Sequence, residues 1–241
     1  VCGKMSSFQV SYTYSTQKLP NGHQIPNWRE HLNCTHCGFV NRMRAFFHIF
    51  FQEGTPSIDD SIYITEQSTA AYRWLARFFP NLTGSEYMGS ELEPGTLVAG
   101  FRHEDLRNLS FPDNSLDCIL SLDVQEHVPD YKKALAEVFR CLRRGGKFMF
   151  SAPFCVDDYE NTILARMTND GHIEHLREPE YHGNPIDPEH GSLCFRYYGW
   201  ELIDDLLNSG FEKAECVFYW SQQYCYLGQP QFLMMAEKPL E

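Results

Sequence analysis

The sequence predicts an α/β fold built on a doubly wound, mostly parallel sheet, and three observations carry that expectation. Leu116–Leu122 is an apolar run of strand length. Tyr131, Ala134, Leu135, Val138, Phe139 and Leu142 recur at helical spacing and line one face. Residues 147–153 form a second apolar run, closed by a proline. Two buried strands joined by a helix make a right-handed parallel βαβ unit. In open sheets of this kind ligands sit beyond the carboxyl ends of the strands, which here means the polar turn at residues 123–128. Asp130 is expected to cap the helix. Arg143 and Arg144 suit its negative end, and Gly145 supplies a left-handed exit, so the helix is expected to stop at Gly145 and Gly146.

The phrase LSFPDNSLDCILSLDVQEHVPDYKKALAEVFRCLRRGGKFMFSAP, residues 109–153, resembles the core of class I S-adenosylmethionine-dependent methyltransferases of the type 11 kind. In that family a fourth strand ends in a D-x-x-E-H-V-like turn and the next helix ends in L-x-x-G-G. The resemblance covers residues 58–153 well and the C-terminal part more loosely; the first fifty residues fall outside it. It implies a Rossmann-like, mostly parallel seven-stranded sheet with a C-terminal antiparallel hairpin. It also implies S-adenosyl-L-methionine as cofactor and methyl transfer as the activity, with residues 58–241 as the methyltransferase-like domain.

A chain of 241 residues accommodates one such domain plus a small appendage. The net charge of −12 argues against nucleic acid as partner, because phosphate-binding surfaces are basic. No run reaches the ~20 apolar residues of a membrane helix, and residue 1 onward lacks a basic segment followed by an apolar signal core. No membrane partner is therefore expected, and the expected address is the cytoplasm. Of nine cysteines, six are scattered singly and read as free core thiols.

Cys2, Cys34 and Cys37 are organised differently. Cys2-Gly3 and Cys34-Thr-His-Cys37-Gly38 each read as the closing half of a zinc knuckle, in which both sulfurs face one metal. Residues 1–40 are thus expected to form a zinc ribbon, its fourth ligand either upstream of Val1 or one of His23, His31 and His36; a metal-free pair of turns is the alternative. Residues 8–15 alternate as an exposed strand, and 20–23 read as a turn. Residues 41–57 form a linking aromatic helix expected to dock on the main domain, as packing or as a lid.

The main domain is expected to open with a strand at 61–65, the turn Glu66, Gln67, Ser68, and a helix at 70–79 capped by Ser68 or Thr69. The family usually has a glycine-rich turn at that place, and this chain has none. By resemblance Glu66, Gln67 and Ser68 line the methionine part of the cofactor. Glu86, followed by Tyr87, ends a second strand at 81–86, about where nucleotide-binding folds put a carboxylate on the ribose hydroxyls. Asp105 and Leu106, after a third strand at 101–106, take the adenine by resemblance. Leu122, Asp123 and His127 form the remaining wall.

Residues 154–198 are a long segment without regular elements, expected to receive the acceptor. Its histidines are interleaved with acids, and imidazole suits general-base work near neutral pH. His182, His175, His172 and His127 are the candidates, with His182 first. His172 and His175 with Glu174 can alternatively ligate a metal, and a purely structural role is the third reading. A helix near 199–210 and strands near 211–220 and 231–238 complete the sheet as a hairpin. The expected acceptor is a small molecule or glycan, methylated on oxygen. The alternative is a catalytically degenerate domain whose zinc ribbon acts as a protein-interaction module; a ribbon that reads nucleic acid or protein is the third reading. The expected protein partner is a second copy in a homodimer, or one bound through the zinc ribbon.

Overall fold

The computed structural model describes every residue except Tyr14 and Thr16. Two compact units emerge: residues 1–56 with 217–233, and residues 57–216 with 234–241.

In the first unit, β1 (Phe8–Val10) pairs antiparallel with β2 (Leu32–Cys34). The strand expected at 8–15 is therefore shorter, and its Tyr14 lies outside the described residues. The turn expected at 20–23 is present: Leu19 N–H donates to the His23 carbonyl, and Gly22 takes φ +84°. Helix α1 (Asn41–Ile49) runs into one π-helical turn, Phe50–Gly54. It belongs to the same unit as residues 217–233 of the C-terminal hairpin, on which it packs. Ala45, Phe46, Phe47 and Phe50 are buried, and the polar side chains of α1 tie it to the far hairpin segment. Asn41 Nδ2 donates to Leu227 O (2.9 Å), and Arg44 donates to the carbonyls of Tyr224 (2.8 Å) and Cys225 (3.0 Å).

The second unit holds β3 (Ile62–Ile64), α2 (Ala70–Leu75), β4 (Leu82–Gly84), β5 (Leu116–Leu122), α3 (Tyr131–Cys141), β6 (Leu142–Ser151) and α4 (Glu201–Asn208). The hairpin strands β7 (Lys213–Ser221) and β8 (Tyr226–Glu237) follow in the chain, with residues 217–221 and 226–233 counted in the first unit. One six-stranded sheet has the order β7-β8-β6-β5-β3-β4. β4, β3, β5 and β6 are mutually parallel, and β8 runs antiparallel to β6. The Rossmann-like, mostly parallel architecture with an antiparallel C-terminal part is as expected.

The strand count is not. Among the described residues the third strand is reduced to one parallel bridge, Glu86 with His103, while Phe101–Arg102 pairs with Leu97–Val98. The first helix stops at Leu75 rather than near 79. Helix α3 stops at Cys141, so the glycines expected to end it lie instead within β6, where the register with β5 slips between Leu116 and Cys118. The segment 154–198 is also more regular than expected. It folds into small ladders: Ala165–Met167 with Ile173–His175, Tyr181–His182 with Ser192–Leu193, and Arg196–Tyr197 with Thr162–Ile163.

The core lies on β5 and β6. Ile119, Leu120, Phe148, Met149 and Phe150 are fully buried, with the Phe148 and Phe150 rings stacked at 4.4 Å, and Ala134, Leu135 and Val138 of α3 are buried as well. Asp130 accepts the Lys133 amide at 3.1 Å, the expected cap. No helix among the described residues is long and apolar enough to cross a membrane.

Candidate active site

β4 lies on one side of β3 and β5 on the other, so the connections leaving β3 and β5 diverge. In open α/β sheets the ligand crevice lies at such a switch point, beyond the carboxyl ends of the two strands, which here are followed by residues 65–69 and 123–130.

The first turn has amides but no glycine, and buried amides need acceptors. Glu86 supplies one: its Oε1 accepts from Gln67 N (2.9 Å) and Ser68 N (2.7 Å). The Gln67 side chain is also engaged, accepting from Arg102 N at 2.8 Å and donating to Gly100 O at 3.2 Å. Thr69, not Ser68, caps α2 by accepting from Tyr72 N at 3.3 Å. Ser68 Oγ is buried with no hydrogen-bond partner in the protein.

The close approach that a glycine-rich turn would allow is found one strand away. A Cβ on Gly84 would stand 2.6 Å from the Tyr72 ring and 2.7 Å from the Glu66 carbonyl oxygen. Gly84→Ala is therefore expected to push the 65–69 turn outward and to cost ~1–3 kcal/mol by overpacking, checked by urea denaturation.

Asp105 is held by Arg107 at Nε (3.0 Å) and Nη2 (2.6 Å) and by the Arg107 amide (2.9 Å). Burial raises its pKa, but the Arg107 bonds outweigh burial and hold the carboxyl below the usual carboxylate range. Leu106 and Leu122 are buried, whereas Tyr87 exposes half its surface beside the His103 ring at 5.6 Å.

The second turn begins at Asp123, a non-glycine residue at φ +53°, a conformation that costs energy and clusters at functional sites. Ser151 holds it, with its Oγ donating to Asp123 Oδ1 at 2.7 Å and its carbonyl accepting the Asp123 amide at 2.9 Å. Gln125–His127 follows as one 3-10 turn. Gln125 and Glu126 are buried, and neither the Gln125 amide group nor the Glu126 carboxylate has a well-formed hydrogen bond in the protein. What faces Glu126 Oε1 is a pair of imidazoles: His182 Nδ1 at 3.4 Å and His127 Nε2 at 3.7 Å. The two rings meet edge to face at 4.9 Å. The Glu126 carboxylate raises the His182 pKa, burial opposes it and Glu180 adds to it, with a net rise to about 9.

Of the four candidate histidines, then, the structure gathers His182 and His127. His172 and His175 lie on the exposed Ile173–His175 hairpin region, and Glu174 pairs with Arg166 at 2.6 Å. Among the described residues the metal-competent groups are Glu126 with His127 and His182, and Cys2 with Cys34 and Cys37. The expected His172, Glu174, His175 set is not one of them. In the cysteine group Cys2 Sγ and Cys34 Sγ stand 3.9 Å apart, and His23, His31 and His36 are not part of it. Burial raises the Cys34 thiol, yet the Ser6 hydroxyl and the amides of Cys37 and His36 outweigh it and bring the pKa down to about 6.

Sequence reasoning missed the clamp that shapes the second turn. Every carbonyl from Gln125 to Pro129 except that of His127 is held by residues 195–198. Tyr198 Oη donates to Gln125 O (2.9 Å), Phe195 N to Glu126 O (2.8 Å), and the Arg196 guanidinium to Val128 O (2.6 Å) and Pro129 O. The signal in the sequence was the stretch Cys194–Tyr198, three aromatics around Arg196 after a polar loop.

Residues 69–150 match the family described as "Methyltransferase domain". An uncharacterized methyltransferase of Bacillus subtilis, YcgJ, is 33% identical over 91 residues, 37% of this chain and 33% of that protein. The 2-methyl-6-phytyl-1,4-hydroquinone methyltransferase of Synechocystis is 28% identical over 166 residues, 60% of this chain and 51% of that protein. A crystal structure of an S-adenosylmethionine-dependent methyltransferase from Mesorhizobium loti superposes with a TM-score of 0.53 at 18% identity, covering 84% of this chain and all of that one. That likeness concerns the fold. The matched stretches span 33% and 51% of the two curated relatives, less than two thirds of either.

Proposed function

We propose, for a chain whose central domain is that of the class I S-adenosylmethionine-dependent methyltransferases, that it methylates an oxygen atom of a small molecule or a sugar. The observation that carries the reading is the pair of turns at the switch point, within or beside the matched residues 69–150. The cofactor fits the residues there. Glu86 uses Oε1 for the two turn amides, which leaves Oε2 to accept from ribose hydroxyls. Ser68 Oγ is a buried polar atom suited to a ligand partner. Leu106 and Leu122 supply apolar walls, with Tyr87 at the rim; Glu66 and Asp123 lie where the methionine part would end. When bound, the cofactor supplies an electrophilic methyl group. The chain's own part is to orient the acceptor and exclude water, and such positioning accounts for much of the acceleration of group transfers.

His182 and His127 border the acceptor side of the crevice, and His182 remains the first choice for handling the acceptor proton. Its two flanking carboxylates keep it protonated at neutral pH in the free protein. A base role therefore requires the ligand to rearrange that contact.

A second reading is favoured by one observation: Gln67 and Ser68 spend their amides on Glu86. A domain with that turn closed on itself, joined to a ribbon, would act as an interaction module without catalysis. Isothermal titration with S-adenosylmethionine decides between them; saturable binding supports the enzyme, and absence of heat together with no co-purified S-adenosylhomocysteine supports the module.

We also propose zinc for Cys2, Cys34 and Cys37, with one ligand still to be assigned. Thiolates at ~2.3 Å from a tetrahedral zinc stand about 3.8 Å apart, close to the 3.9 Å between Cys2 and Cys34.

A further inference from the structure

A carboxylate fully removed from water is expected to be neutralised, hydrogen-bonded or bound to a metal, since burial of an unpaired charge costs several kcal/mol or more. Glu126 has no exposed surface, and neither of its oxygens is in a well-formed hydrogen bond. It sits instead before two imidazole nitrogens whose protonation the outer partners decide. His127 Nδ1 lies 2.8 Å from the Leu193 carbonyl oxygen, which can only accept, so the proton is on Nδ1 and the lone pair of the neutral ring is on Nε2. His182 Nε2 lies 3.0 Å from Glu180 Oε1, which holds one ring proton on Nε2, so the proton on Nδ1 in the free protein is the one a cation displaces to make Nδ1 the donor atom. Glu180 is in turn held by the Tyr197 hydroxyl. Carbonyl and carboxylate partners of this kind orient metal-binding histidines.

The spacing fits a cation. Ligands ~2.0–2.2 Å from a metal stand about 3–3.5 Å apart in octahedral or tetrahedral sets. Here Nδ1 of His182 and Nε2 of His127 are 3.4 Å and 3.7 Å from Glu126 Oε1, and the three ligand atoms lie within 4.8 Å of one another. Asp123, two residues before the 3-10 turn, takes a left-handed backbone conformation directly after β5.

We propose that Glu126, His127 and His182 bind one divalent cation at the acceptor end of the crevice. Two imidazoles and a carboxylate suit Zn²⁺, Mn²⁺, Fe²⁺ or Co²⁺, and three protein ligands leave positions open. Those positions take two neighbouring oxygen atoms of the acceptor, so the substrate class is a vicinal diol or a similar oxygen chelate. This second part rests on the methyltransferase reading; the cation site does not.

Mn²⁺ is the probe, followed by electron paramagnetic resonance on the full chain after chelator treatment. One equivalent of bound Mn²⁺ is expected. It should persist in Cys34→Ser, where only zinc content falls, and bind at least ~100-fold more weakly in Glu126→Gln and in His182→Ala. Glu126→Gln tests a buried position with an isosteric change, whereas His182 is on a part-exposed hairpin whose truncation leaves the sheet intact. Equal Mn²⁺ affinity in these two variants, or no binding in the parent chain, overturns the site. Catechol, a vicinal dihydroxy probe, is expected to displace water from bound Mn²⁺ and lower the relaxation enhancement of water protons; no change overturns the acceptor class. If S-adenosylmethionine fails to bind while Mn²⁺ binds as expected, the methyltransferase reading falls and the cation site stands.

Discussion

Glu86→Ala is expected to weaken S-adenosylmethionine binding by ~10–100-fold and to lower the stability of the main domain by ~2–4 kcal/mol, through two separable losses. One carboxylate oxygen holds the amides of Gln67 and Ser68, at 2.9 and 2.7 Å, in a place where the chain has no glycine to relax the turn. Removing it leaves two amides without acceptors, each worth ~1–3 kcal/mol when buried. The other oxygen is assigned to the ribose. Glu86→Gln separates the two roles. Its amide oxygen can still accept from the turn, so stability should drop by only ~1 kcal/mol, while affinity should fall by ~10-fold with the loss of charge. Titration calorimetry and urea denaturation measure both. Unchanged affinity in Glu86→Gln would mean that the carboxylate serves the turn alone.

The parts of the fold legible in the sequence are those with a strong period. Leu116–Leu122 and the buried face of α3 are where the pattern puts them, because burial on a parallel sheet selects continuous apolar runs and a 3.6-residue stripe. The third strand was not legible as lost. Gly89, Gly95, Gly100 and Ala99 all take positive φ there, breaking the segment into turns before it can pair. The end of α3 was misplaced for a tertiary reason. Lys238 Nζ, just past β8, donates to Phe139 O (2.7 Å) near the helix end and to Leu142 O (2.8 Å) beyond it, so no glycine cap is needed and Leu142 enters β6 directly. The same holds in the site. The position of the 123–128 turn follows from topology, and His182 stands out by its setting among turn formers. That Glu126 would be its partner depends on how the loop folds back, which no local pattern encodes.

Arg196→Met is expected to have the largest effect on stability among the residues of the loop, ~3–5 kcal/mol, because the guanidinium does three things at once. It is buried, its two outer nitrogens satisfy Val128 O and Pro129 O, and its plane lies 4.4 Å from the Tyr131 ring centroid at the start of α3. Methionine keeps much of the stem volume but leaves both carbonyls without donors. Removing a buried cation also relieves its desolvation cost, which is why the expected loss is less than the sum of the contacts. Arg196→Lys should fall between, since an ammonium can reach one carbonyl but cannot span two with a rigid fork. The melting temperature of the methionine variant should fall by roughly 10 °C. The functional consequence follows from the same bonds. With Val128 and Pro129 released, the turn that carries Glu126 and His127 loses two of its four carbonyl anchors to residues 195–198, so Mn²⁺ affinity should decline in protein that remains folded at low temperature. A methionine variant with an unaltered melting temperature would show that the turn is held by its own backbone and that the clamp is incidental.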